Sequence, residues 1–286
     1  MTASSGNHWP TVFCHHAAAL LCTALVLLCA LPATAQEDKP RKFTPREAAE
    51  LRYADKLVQR GYQYMAGGRW KLARKDFREA IKSTTIVYGD NTARNAELYV
   101  LIGRTYYTQA TAETRRDPGP MTTAREAYAK AIEIYESLPP PQNEALLDTY
   151  MHYGDLLQVA SSHEAAREQY LNGWDLLVEK TSERAANDYF RQALNLLDLR
   201  PRKGYRSSDD QIVWFTFEIS ADGRIRDIED KGSKAGRKLM NDMRTILDRA
   251  RFRPRIVARE PSAMRGYLKL RFPSDGSRPQ DLPDGA

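Results

Sequence analysis

Past residue 35 the chain contains two histidines, His152 and His163, and no cysteine. Its other three histidines (His8, His15, His16) and all three cysteines (Cys14, Cys22, Cys29) sit in the first 35 residues. A zinc or iron centre made without thiolates would need carboxylates gathered by the fold, so no metal and no cofactor is expected. The neighbours Ser162, His163 and Glu164 name the residue types of a hydrolytic triad. Consecutive residues at a helix start point in different directions, however, and cannot line up as nucleophile, base and orienter. Helix capping is the expected role for them. No G-x-S-x-G, S-x-x-K, Walker loop or G-x-G-x-x-G occurs, which leaves nucleophilic and nucleotide chemistry without their usual supports. Binding rather than catalysis is the expectation; an envelope-modifying hydrolase would require carboxylates converging in a groove.

The elements that must present a binding surface begin after residue 35. The first 35 residues carry no Lys, Arg, Asp or Glu, and their apolar run from Ala17 to Leu31 is shorter than the ~20 residues of a membrane span. With Pro32 and the small-x-small site Ala33-Thr34-Ala35, this reads as a secretory signal cleaved before Gln36. Leu21 and Leu28 precede Cys22 and Cys29 where lipoprotein processing would want a small residue, so no lipid anchor is expected. The mature chain would have no thiol and would fold on its hydrophobic core alone, with no stable membrane span. The n-region has no Lys or Arg, which keeps an uncleaved signal anchor as the alternative. The formal net charge is +6, and residues 200–272 carry 19 Lys+Arg against 10 Asp+Glu. For an exported chain this reads as a basic solvated face, with no nucleic acid as partner.

From Pro45 to about Leu199 apolar residues recur at three and four positions, so the segment is expected to be helical. Aligning Gly61, Gly103 and Gly154 gives three units. Each has a large residue three positions on (Tyr64, Tyr106, Leu157) and then a small-x3-aromatic-x2-small run: Ala73-Phe77-Ala80, Ala124-Tyr128-Ala131, Ala166-Tyr170-Gly173. A Gly in one helix lets the next approach closely, which is the physics of packed helical hairpins. Gly67-Gly68 is the expected first hairpin turn, and Ala112 to Pro120 an inserted loop. Thr44-Pro45-Arg46-Glu47, Thr123-Ala124-Arg125-Glu126 and Ser161-Ser162-His163-Glu164 are the expected helix starts. A seventh helix, Glu183 to Leu199, is expected to cap the last hairpin.

This pattern resembles the tetratricopeptide repeat family. It departs from that family in Arg60 where an apolar residue is usual, in Gly173 for Ala, and in lacking Pro at the unit ends. The resemblance implies a groove lined by the first helix of each hairpin, at Val58, Tyr62 and Met65, then Val100, Arg104 and Tyr107, then Met151, Asp155 and Gln158. The family's carboxylate clamp of Lys and Asn is missing, so an amphipathic helix or an extended apolar peptide is the expected occupant. The alternative is that Tyr62 and Tyr107 pack between helices.

After Arg202 the period changes to two. Val213, Phe215, Phe217 and Ile219 alternate, Ala221-Asp222-Gly223 is a hairpin turn, and a second strand runs from about Arg224 to Asp230. Ser233 is expected to cap a helix with the apolar face Leu239, Met243, Ile246, Leu247 and Ala250. A last strand, Tyr267 to Phe272, alternates Leu268, Leu270 and Phe272 against Tyr267, Lys269 and Arg271. The first strand, Asp222-Gly223-Arg224-Ile225, Asp227-Ile228, and Leu247-Asp248 leading into Arg251-Phe252-Arg253-Pro254 resemble the C-terminal domain of TonB-type energy transducers. The likeness spans about residues 205–272; Gly204-Tyr205-Arg206 stands where that family has Tyr-Pro.

That resemblance implies strand addition by an extended segment, as TonB domains take the N-terminal box of TonB-dependent outer-membrane receptors, and it allows a homodimer through the sheet. Tyr267 to Arg271 is the expected edge, with Lys269 and Arg271 facing outward either toward an acidic partner or as protection against unwanted pairing. The expected organisation is an α+β chain: signal peptide (1–35), flexible N-terminal segment (36–44), tetratricopeptide-like domain with capping helix (45–200), linker (201–210), a ββαβ TonB-like domain (211–273) and disordered tail (274–286). It is expected to act as a periplasmic adaptor for envelope proteins or peptides. The alternative is a short, atypical transducer anchored in the inner membrane and facing the periplasm.

Overall fold

The computed structural model describes residues 42–112, 118–139, 142–201 and 205–282. The expected signal peptide lies outside the described residues, as does most of the N-terminal segment. Among the described residues the architecture is α+β: seven consecutive helices, then short antiparallel sheets with one further helix. Among the described residues no helix is long and apolar enough to cross a membrane. Two compact units divide within one helix, after Ala186.

The first unit contains α1 (Pro45–Ala66), α2 (Trp70–Tyr88), α3 (Ala93–Ala112), α4 (Pro118–Ser137), α5 (Asn143–Val159), α6 (His163–Lys180) and the start of α7 (Glu183–Tyr189). Pairs α1/α2, α3/α4 and α5/α6 pack as hairpins, and α2/α3 and α4/α5 pack in turn. Each hairpin is set by one glycine and one ring. A Cβ at Gly61 would lie 2.4 Å from the Phe77 ring, at Gly103 2.6 Å from Tyr128, and at Gly154 2.4 Å from Tyr170. Any larger residue there would hold the helices apart, so the Gly–aromatic spacing read in the sequence is the contact itself. Ala73, Ala80, Ala124, Ala131 and Ala166 are fully buried beside these rings.

Thr44 caps α1 as expected, accepting a 3.2 Å hydrogen bond from the Glu47 amide while the Glu47 carboxylate accepts from the Thr44 amide. Gly68, at φ 68°, makes the first turn. The other two capping expectations are corrected. Helix α4 already begins at Pro118, which places Thr123 inside it. Ser162 precedes α6 without capping it by its side chain; its Oγ accepts instead from Arg125 at 2.6 Å.

The second unit contains β1 (Leu194–Asn195), β2 (Gln211–Ile219), β3 (Ile225–Asp230), α8 (Arg237–Arg249), β4 (Phe252–Arg253), β5 (Arg255–Val257), β6 (Glu260–Ser262), β7 (Met264–Phe272) and β8 (Gln280–Asp281). Its main sheet is antiparallel in the order β3-β2-β7-β8. Alternation decides the buried face: Val213, Phe215, Phe217 and Ile219 of β2 and Leu268, Leu270 and Phe272 of β7 pack on Leu239, Met243 and Leu247 of α8. Gly223, at φ 72°, closes the β2–β3 hairpin. Ser233 does not cap α8, whose N-cap is Gly236; its Oγ accepts from the Trp214 amide at 2.9 Å.

Three boundaries move. The helix expected as far as Leu199 ends at Tyr189, because Ala193 and Leu199 are drawn into the second core and β1 pairs with β4. The linker is tied down, since Tyr205 packs edge-on to Phe272 at 5.7 Å and donates a hydrogen bond to Asp242. Burial, together with that bond, pushes the Tyr205 phenol up to about 12. The tail expected to be disordered instead supplies β8.

Candidate functional site

The three glycine–aromatic contacts fix the rotation of α1, α3 and α5, and with it what each row of expected groove residues does. Tyr62 is 42% exposed, its ring edge-on to Phe77 at 5.9 Å. Burial pushes its phenol up, the Glu97 carboxylate adds to that, and the Arg104 guanidinium opposes it. Arg104 is exposed, and Met65 and Tyr107 are half-buried against the core, as are Val58 and Val100. The Arg104 charge thus reaches Tyr62 on α1, and Tyr107 follows Arg104 by three residues on α3. The Arg104 field also reaches Tyr128, whose phenol burial pushes far up while Arg104 opposes it and Asp155 and Tyr107 add to it.

The third row is corrected. Met151 is 2% exposed, with its Cε only 2.3 Å from where a Cβ on Gly173 would stand. The missing side chain at Gly173 opens the space that Met151 fills. Asp155 is 6% exposed and accepts a 3.0 Å hydrogen bond from the Tyr170 hydroxyl, while buried Gln158 lies 3.1 Å from His163 Nδ1. These side chains join α5 to α6 and do not line a surface.

Two surface residues escaped the sequence reading. Glu97 lies seven residues before Arg104, two turns back on the same face of α3, and its charge adds to the upward push that burial gives both the Tyr62 and the Tyr135 phenols. Tyr153, half-buried, stacks on Tyr128 at 5.6 Å and 22°. The spacing from Arg104 was signal enough for the first; the second depends on α4 packing against α5.

Arg60, which interrupts the repeat pattern, reaches the nearly buried Asp76 through two guanidinium nitrogens at 2.5 and 2.8 Å. Arg74 is also buried, stacked over the Tyr106 ring at 4.0 Å and bonded to Gln109 at 2.9 Å. Both are ties between helices rather than free basic groups.

In the second unit the expected edge strand is an edge covered only at its C-terminal end. Over its full length, from Met264 to Phe272, β7 pairs with β2 on one side, and on the other β8 pairs with Leu270 and Arg271. Lys269 is 7% exposed, its ammonium 4.6 Å from the centre of the Trp214 ring. Cross-strand register places those two residues opposite each other, and the aromatic face takes the charge. Arg271 donates to Asp210, whose carboxyl is held below its usual value first by that bond and then by the Ser274 amide. Tyr267 lines an open groove of about 410 Å³ on the outer sheet face, with Trp214, Thr216, Glu218, Glu229 and Arg265.

The other margin of the sheet is β3. Its register against β2 slips between Thr216 and Glu218, Asp227 has a φ of 51°, and Arg226, Asp227, Glu229 and Asp230 crowd its six residues with charge. A bulged, charged edge resists pairing with another strand. Among the described residues no group of three or more His, Cys, Asp or Glu side chains is placed to hold a metal ion. Comparison of the chain with protein-family models and with curated proteins returns no match.

Proposed function

We propose that the chain is a non-enzymatic adaptor of the periplasm. Tetratricopeptide-like repeats would hold one protein or peptide partner, and a TonB C-terminal-like sheet would take a second by strand addition. The observation that carries the first half is exposed Arg104, whose charge reaches exposed Tyr62 and which lies three residues before half-buried Tyr107 on α3, with half-buried Val58 and Met65 near Tyr62 on α1. Tyr and Arg in such a setting are the side chains that anchor interfaces, because they bury apolar area while keeping a directional hydrogen bond. The occupant is an amphipathic helix or extended segment with one carboxylate to meet Arg104 and apolar side chains to cover Tyr62 and Tyr107.

The second half is supported by β7, which already accepts a short extended segment along one side. In vivo photo-crosslinking tests the adaptor reading, with a probe replacing Tyr107 and a control probe at exposed Lys82 on α2. Defined envelope proteins captured at Tyr107, and lost when Arg104 becomes Glu, support it. Equal capture at both positions removes the repeat surface from the account. The N-terminal residue of the mature chain checks export: Gln36 fits the periplasmic reading, and Met1 fits an anchored transducer.

A further inference from the structure

The strand that closes the sheet, β8, is only two residues long and comes from the acidic tail of a chain whose preceding module is strongly basic. Three contacts hold it. Leu270 and Arg271 pair with Asp281 and Gln280, the Leu282 amide donates to the Lys269 carbonyl at 2.9 Å, and the Asp281 carboxylate is ion-paired with Arg200. Pro279, one residue before the strand, is buried. The tail thus places a buried proline, then an acidic side chain two positions on, then an apolar residue whose amide enters the ladder. Arg200 is 25% and Asp281 42% exposed, so the pair is partly screened: it selects an acidic side chain at this position without holding the tail by itself. A two-residue ladder adds few hydrogen bonds, so the hold depends chiefly on the tail being attached nearby.

From this seating we infer that the β7 side of the sheet is a docking site for an extended partner segment of the pattern Pro-x-acidic-apolar, and that residues 279–282 fill it from within until the partner displaces them. The inference rests on the strand-addition half of the proposed function and adds to it the chemistry of the partner and the chain's own competitor. Charge favours the same occupant, since residues 200–272 carry 19 basic against 10 acidic side chains and the tail one basic against three acidic. Arg200 supplies the selectivity: it meets the carboxylate two positions after the proline.

The test uses a fluorescent peptide with the sequence of residues 277–286 and measures its binding by anisotropy. The full chain, with its tail in place, is expected to bind it at least tenfold more weakly than a chain ending at Ser277. In the shortened chain, Arg200→Glu is expected to weaken binding at least tenfold, and a peptide carrying Asp281→Arg to recover most of that loss. Should the shortened chain fail to fold, judged by circular dichroism, the full chain carrying Asp281→Lys replaces it, with the same expectation of tighter peptide binding.

No binding to a folded chain with a removed or weakened tail overturns the inference. So does indifference to the Arg200 charge swap. A full chain that doubles its mass in sedimentation by exchanging tails, and becomes monomeric on truncation, also overturns it, because the occupant is then a second copy. Failure of the Tyr107 crosslink alongside intact peptide binding removes the repeat half of the adaptor reading and leaves this site standing.

Discussion

Replacing Gly61 by Ala is expected to destabilise the helical unit, although the same change at Gly67, one residue past the end of the same helix, is expected to stabilise it. At Gly67 the backbone has φ −85° and an added Cβ meets nothing closer than the Gln63 carbonyl at 3.5 Å, an ordinary contact. Reduced freedom of the unfolded chain then gives a gain of about 0.4–1 kcal/mol. At Gly61 the Cβ would stand 2.4 Å from Phe77 Cε1 and 2.8 Å from Cζ, roughly 1 Å inside contact distance. Phe77 is 0% exposed, between fully buried Ala73 and Ala80, so its ring has nowhere to retreat. Overpacking of this kind costs about 1–3 kcal/mol, and the upper end applies where the obstacle is a confined ring.

Against that, Ala is favoured over Gly inside a helix by about 1 kcal/mol. The net loss is about 2 kcal/mol, a fall of roughly 4–8 °C in Tm for a unit of this size. Thermal unfolding followed by far-ultraviolet circular dichroism measures it. Pairing Gly61→Ala with Phe77→Leu is expected to recover at least about 1 kcal/mol relative to the sum of the single changes, because the clash is the shared term. A rise in Tm for Gly61→Ala comparable to that of Gly67→Ala would refute the reasoning and mean that the ring does not fix the helix approach.

Gly173→Ala is expected to cost less than Gly61→Ala, under about 1 kcal/mol, because the obstructing atom is the flexible end of Met151 rather than a ring; a melt of the single variant decides it. Burial pushes the Asp222 carboxyl up, but hydrogen bonds from Arg224 and Ser220 outweigh it and hold the group at about 2, against an ordinary 3.8. The ionised form is therefore favoured in the folded state, a contribution complete above about pH 4 and lost as the pH falls through about 2. Urea midpoints of the chain and of Asp222→Asn should accordingly converge over that window, and a difference unchanged at pH 2 would contradict the assignment. Arg104→Glu is expected to abolish partner capture at the Tyr107 probe with no change in unfolding free energy beyond about 0.5 kcal/mol, as for other exposed substitutions; a large loss of stability would place Arg104 in the packing instead.

The contrast between residues read well and residues read badly is physical. Gly61 with Phe77 and Gly154 with Tyr170 are sixteen residues apart within single hairpins, so chain spacing alone states the contact. The same holds for the alternation of Val213 to Ile219, where one face of a strand must be apolar if the other is wet. Asp155 occupies the position equivalent to Tyr62 and Arg104, Met151 that of Val58 and Val100, and Gln158 that of Met65 and Tyr107, yet all three are buried, because the space at Gly173 and the partner Tyr170 belong to another helix. Lys269 had an outward-facing pattern and is nevertheless covered, because register sets it opposite Trp214.

The sequence by itself determined the α+β division, the three hairpins, the first cap and the buried faces, all of which follow from periods of 3.6 and 2 and from glycine's missing side chain. Tertiary structure alone decided that α7 stops at Tyr189, that the tail closes the sheet at Leu270 and Arg271, and that the Glu97 and Arg104 charges reach Tyr62. Those outcomes depend on groups far apart in the chain, and no local spacing records which distant partner reaches a site first.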